Sequence, residues 1–210
     1  MILKGLTVNF LGDSITEGTG TTAPEKIFHY LIEQKCGLKI ARNYGIGGTR
    51  IARQTEPSFN TKFDLTFELR STTMDKNAEL IVVFGGTNDY GHGDAPFGTL
   101  EDTTDATFCG AVESLIKSLK TNFPESKLVF MTPLHRENED VPSEPDGKIL
   151  KDYVDAILTI CERNNVSVID LFKINPIDVN DKELLPDGLH PSDKGHAVMA
   201  EVIIEELSKL

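Results

Sequence analysis

Short apolar runs separated by helical stripes set the pattern of this chain. Leu6–Leu11, Leu38–Asn43, Leu80–Phe84, Lys127–Met131 and Ser167–Asp170 are mostly apolar and bounded by Gly, Asn, Asp or Pro. Apolar runs this short, without strict alternation, predict strands covered on both faces. Phe108, Ala111, Val112, Leu115, Leu119 and Phe123 recur at helical spacing, and Pro124 closes that helix. Leu150, Tyr153, Val154, Ile157, Leu158 and Cys161 form a second stripe on Lys148–Asn164. Met199, Val202, Ile203 and Leu207 form a third, with Ser192 as its N-cap, and a weaker helix covers Pro24–Lys35. Strands alternating with helices predict a three-layer α/β domain around a parallel sheet. No repeat, low-complexity tract or linker divides the 210 residues, so the chain reads as one domain, 1–210.

Charge and cysteine content narrow the surroundings rather than the fold. The formal net charge is −12. It argues against nucleic acid, whose phosphates require clustered Lys and Arg, and against an anionic membrane surface. No apolar run approaches the ~20 residues that span a bilayer. Near the N-terminus, Asn9 and Asp13 interrupt what would otherwise be a signal-peptide core. The three cysteines, Cys36, Cys109 and Cys161, are odd in number and widely spaced. Cys109 and Cys161 fall at apolar positions of predicted helices, which reads as buried free thiols and an expected cytoplasmic location.

The unusual residues collect where strands end. Gly12-Asp13-Ser14 follows the first predicted strand, Asn43-Tyr44-Gly45-Ile46-Gly47-Gly48 the second, and Gly85-Gly86-Thr87-Asn88-Asp89 the third. Ligands of open α/β sheets bind outside the carboxyl ends of the strands, so these clusters are expected to meet in one cleft. Far away in sequence, Asp187 and His190 stand three apart in a turn bounded by Pro186 and Pro191. A serine hydroxyl needs a base to take its proton, and a histidine serves best when an acid holds its other ring nitrogen. Ser14, His190 and Asp187 supply those three groups.

Each feature alone has a plainer reading. Gly12-Asp13-Ser14 also suits a strand-to-helix turn, Asp187–Pro191 a capped turn, and the glycine-rich runs tight backbone geometry. His196 reads as structural, and His29, His92 and His135 carry no further motif. No HxxxH or CxxC spacing suggests a metal site, and no GxGxxG or GxxxxGK[ST] a phosphate cradle. Thr16 stands where the GxSxG nucleophile elbow would need glycine.

Taken together and in order, Gly12-Asp13-Ser14, Asn43-x-Gly-x-Gly-Gly48, Gly86-Thr-Asn88-Asp89 and Asp187-Gly-Leu-His190-Pro191 closely resemble the four blocks of the SGNH hydrolases, the GDSL-type esterases and lipases. The resemblance runs from Leu6 to the final helix. It implies a flavodoxin-like α/β/α sandwich with a five-stranded parallel sheet. It implies Ser14 as nucleophile, His190 as base and Asp187 as the orienting acid. The oxyanion donors would be the backbone amides of Ser14 and Gly48 and the side-chain amide of Asn88. Gly47 stands where many members carry Ser, which leaves Gly45 and Gly47 as alternatives to Gly48.

The expected activity is ester hydrolysis through an acyl-enzyme, with no metal or organic cofactor. No long apolar segment forms a lipid-binding lid, and the loops Asp89–Thr107 and Thr132–Gly147 are rich in Gly, Thr, Asp, Glu and Pro. Those loops point to short acyl groups on a small-molecule or carbohydrate ester, acetylated sugars among them. An acyltransferase, a lysophospholipase, a thioesterase and a non-catalytic carbohydrate-binding domain are the alternatives.

Overall fold

The apolar runs pair into one sheet. The computed structural model describes residues 1–210 and contains β1 (Thr7–Gly12), β2 (Ile40–Gly45), β3 (Leu80–Phe84), β4 (Lys127–Met131) and β5 (Ser167–Ile169). All neighbours are parallel, in the order β2-β1-β3-β4-β5. This is the flavodoxin-like winding, whose strand order reverses between β1 and β3, the position where such sheets bind ligands. Eight helices fill the connections: α1 (Ser14–Glu17), α2 (Phe28–Cys36), α3 (Phe67–Ser71), α4 (Thr87–His92), α5 (Phe108–Asn122), α6 (Leu150–Arg163), α7 (Leu171–Ile174) and α8 (Asp193–Lys209).

Alternation along the strands builds two cores. Val8, Phe10, Val82, Phe84 and Met131 face one side and pack with the apolar faces of α2 and α8. Leu11, Ile81, Val83 and Phe130 face the other and pack with α3, α5 and α6. β1 and β3 are buried at every residue. β2 and β5 are only partly covered, unlike the expectation of strands buried on both faces, because they form the two edges of the sheet.

The long helices follow their predicted stripes, and Ser192 caps α8 by accepting from the Gly195 amide at 3.3 Å. The weak pattern at Pro24–Lys35 resolves into a 3₁₀ turn, Pro24–Lys26, and then α2, separated by an extended Ile27 (φ −70°, ψ 140°). The helices α1, α3, α4 and α7 have four to six residues each, too few to write a periodic stripe. Cys109 and Cys161 are buried, Cys36 is half-buried, and all three are free thiols. No helix is long and apolar enough to cross a membrane.

Strand register brings the strand-end turns together. Gly12 pairs with Gly45 on one side and with Phe84 on the other, so β1, β2 and β3 end level. The chain then doubles back so closely that a Cβ at Gly12 would stand 2.0 Å from Thr16 Oγ1 and 2.8 Å from the Phe84 carbonyl oxygen. Any side chain there would force α1 away from the sheet edge.

Candidate active site

The turn after β1 presents Ser14 at the first position of α1. Asp13 caps that helix by accepting from the Ile15 amide at 3.0 Å, and burial pushes the Asp13 carboxyl up to about 6. The Ser14 Oγ lies 2.9 Å from His190 Nε2, across 176 residues of sequence. His190 Nδ1 lies 2.7 Å from Asp187 Oδ2. The second oxygen of Asp187 accepts from the backbone amides of Leu189 and His190, at 2.9 and 2.7 Å. Burial raises this carboxyl, but the His190 amide, the His190 ring and the Leu189 amide outweigh it and hold Asp187 below its ordinary range. An ionised Asp187 favours the proton on Nδ1, which leaves Nε2 as the acceptor for the serine hydroxyl.

The glycine alternatives separate by what their amides already bind. The Gly45 amide donates to Asn43 Oδ1 at 2.8 Å, and the Gly47 amide to Glu17 Oε2 at 2.8 Å. Gly48 lines the cleft with Ser14, Asn88 and His190. It holds φ +75°, and the Phe63 ring stands 2.4 Å from where a Cβ would be. Both the left-handed backbone and the ring require glycine there. Asn88 is buried and donates one amide hydrogen to the Thr49 carbonyl at 3.1 Å, which leaves its second N–H for a ligand. Asp89 braces the same region by accepting from the Ile51 and Ala52 amides at 3.0 and 2.9 Å, and burial pushes it up to about 6.

These residues open onto a cleft of about 840 Å³. Its outer wall is the segment 46–63, which carries Arg50, Phe59 and Phe63, and none of those three stood out in sequence. A pair of phenylalanines in an otherwise polar stretch was the available signal. The two polar loops that point to short acyl groups contribute unequally. The first supplies His92 and Asp94 to the cleft wall, while Thr132–Gly147 does not line the cleft. It braces the Asp187–Pro191 turn instead, with the Glu137 amide donating to the Gly188 carbonyl at 2.8 Å.

The other histidines differ in surroundings. His29 and His196 are fully buried, and burial lowers both to about 4, so each is neutral near pH 7. His196 stacks on Phe28 at 5.9 Å, a structural placement. His135 spans Glu139 and the Phe172 carbonyl at 2.7 and 2.9 Å. His92 sits on the cleft wall, lowered by burial and then by Arg136, Arg50 and His190.

The same chain matches a family model described as the GDSL-like lipase/acylhydrolase family over residues 10–198. It is similar to the crystal structure of a protein from Lactobacillus plantarum, with TM-score 0.79 at 27% identity and 98% of each chain covered. It is also similar to a possible lipase from Chitinophaga pinensis, with TM-score 0.74 at 22% identity, covering 97% of this chain and 98% of that one. A two-domain esterase active on acetylated mannans gives TM-score 0.65 at 22% identity, covering 99% of this chain and 50% of that one. The last two likenesses concern the fold alone. None of the curated proteins matches the sequence.

Proposed function

This chain belongs to the GDSL-like lipase/acylhydrolase family, and on that premise we propose that it is a serine ester hydrolase working through an acyl-enzyme on short acyl groups. One observation carries the reading: Ser14 Oγ is 2.9 Å from His190 Nε2 while Asp187 holds the opposite ring nitrogen at 2.7 Å. Ser14 attacks the ester carbonyl as His190 accepts its proton. The oxyanion that forms takes hydrogen bonds from the Ser14 and Gly48 amides and the free N–H of Asn88. His190 then protonates the leaving alcohol and activates a water that releases the acid.

The preference for short acyl groups rests on the cleft lining. Of its twenty residues only four are hydrophobic, and polar side chains such as Gln54, Glu56, Asn60 and Asp94 interrupt them. A long alkyl chain needs a continuous apolar wall. The polar lining suits the hydroxyls of an acetylated sugar or a similar small alcohol. The unpaired thiols support a cytoplasmic setting.

A series of p-nitrophenyl esters tests this directly, alongside acetylated saccharides with and without an acceptor alcohol. Activity is expected to peak at acetyl or propionyl and to fall as the acyl chain lengthens. A maximum at long chains would overturn the short-acyl reading, and transfer to the acceptor in preference to water would make the protein an acyltransferase.

Asn88→Ala is expected to lower kcat by about 10²–10³ with little change in KM, the usual effect of removing one oxyanion donor. A merely structural Asn88 predicts a lower melting temperature and normal turnover per titrated site. Measuring both on one sample separates the two.

A further inference from the structure

Arg70 lies away from the Ser14–His190–Asp187 line, yet its guanidinium joins most of what surrounds that line. It is buried in α3 and makes no direct salt bridge, although the Asp13 and Glu17 carboxylates favour its charge from farther off. All three nitrogens donate to neutral oxygens instead. Nη2 bonds the Gly12 carbonyl at 3.0 Å and Thr49 Oγ1 at 2.9 Å. Nη1 bonds the Tyr44 carbonyl, and Nε bonds the Leu65 carbonyl at 3.1 Å. The guanidinium carbon lies over the Phe67 ring, 4.7 Å from its centroid.

The acceptors are informative by position. Gly12 ends β1, two residues before Ser14, and Tyr44 is the penultimate residue of β2. Thr49 follows Gly48, and its carbonyl accepts from Asn88 at 3.1 Å. One fork-shaped cation thus fixes the turn that presents the serine and the loop that presents Gly48. Through Thr49 it also fixes the carboxamide on the turn after β3. We propose that Arg70 is a positioning residue that sets the oxyanion hole, holding Asn88 and Gly48 in place through Thr49. Hydrogen bonds to an oxyanion act at full strength only when donors are aimed before the charge develops. An ammonium carries three donors on a single nitrogen and cannot reach four acceptors spread around a guanidinium, so lysine is a poor substitute here.

The inference rests on the hydrolase reading, and the experiment keeps the two apart. Arg70→Lys and Thr49→Val are made alone and combined with Asn88→Ala. Each is assayed with p-nitrophenyl acetate, and the melting temperature is measured. Arg70→Lys is expected to lower kcat about 10- to 100-fold with KM nearly unchanged, less than outright removal of a donor. Thr49→Val should do the same to a smaller extent, and it serves if Arg70→Lys does not fold. In the Asn88→Ala background both substitutions should cost less than in the wild type, because one of the two donors they position is gone while Gly48 remains. Additive losses, or unchanged kcat in folded Arg70→Lys, would overturn the proposal. The side-chain amide resonances of Asn88 give a readout independent of turnover: they should shift and lose exchange protection in both variants. Absence of ester turnover by the wild type would sink the hydrolase reading, while the Asn88 resonances would still decide the Arg70 link.

Discussion

Ser14→Ala is expected to lose about 10⁶ in kcat while keeping its fold, as triad nucleophiles do when removed. The Oγ has one side-chain partner, His190 Nε2 at 2.9 Å, so its removal leaves no buried donor or acceptor stranded within a hydrogen-bonded network. Alanine is the best helix former and suits the first position of α1. The cleft, the Asn88 carboxamide and the Gly48 amide stay as they are, so binding should survive and only turnover should fall. Two measurements on one preparation suffice. Labelling by a fluorophosphonate should modify Ser14 in the wild type and vanish in the variant, and turnover should fall to the level that binding and the oxyanion donors support alone. Near-normal turnover in pure Ser14→Ala protein would remove the mechanism altogether.

Asp187→Asn should also keep the fold and lose up to about 10⁴ in kcat, the size of the effect when a triad acid is replaced by its amide. An asparagine retains one oxygen, enough to accept from the Leu189 and His190 amides that Asp187 Oδ1 now binds at 2.9 and 2.7 Å. Its NH2 then faces Nδ1. That nitrogen must become an acceptor, the ring proton moves to Nε2, and the base can no longer accept from Ser14. The Asp187 side chain is 56% exposed, so water can offset part of the lost charge, and the full factor is an upper bound. Less than a tenfold fall in kcat, at an unchanged melting temperature, would reduce Asp187 to a turn residue.

Sequence reading reached the site further than it reached the walls around it. Ser14, Asn88, Asp187 and His190 lie in short ordered blocks, and the structure brings all four together with Gly48. Chemistry restricts such positions to a few residue types at tight spacing, so they stand out. Arg50, Phe63 and Arg70 carry no local signature. An arginine in the short segment Phe67–Ser71 reads as a solvated charge. The acceptors gathered from Gly12, Tyr44, Thr49 and Leu65, with the charges of Asp13 and Glu17, make its burial favourable. The place of the loop Thr132–Gly147 was hidden for a related reason: polar composition marks a surface segment but does not say which side of the Asp187–Pro191 turn it covers.

By itself the sequence determined the layered α/β architecture, the five strands and the long helices, because hydrophobic periodicity is a local consequence of which face is buried. It also determined the residue types of the Ser14–His190–Asp187 line. The tertiary structure alone decided which glycine amide remains free. Gly45 and Gly47 are committed to Asn43 Oδ1 and Glu17 Oε2, and the latter contact exists only once α1 packs against the end of β2. It likewise decided where the cleft opens and which oxygens gather around Arg70. Contacts between residues tens of positions apart depend on strand order and register, and no local pattern of side chains encodes those.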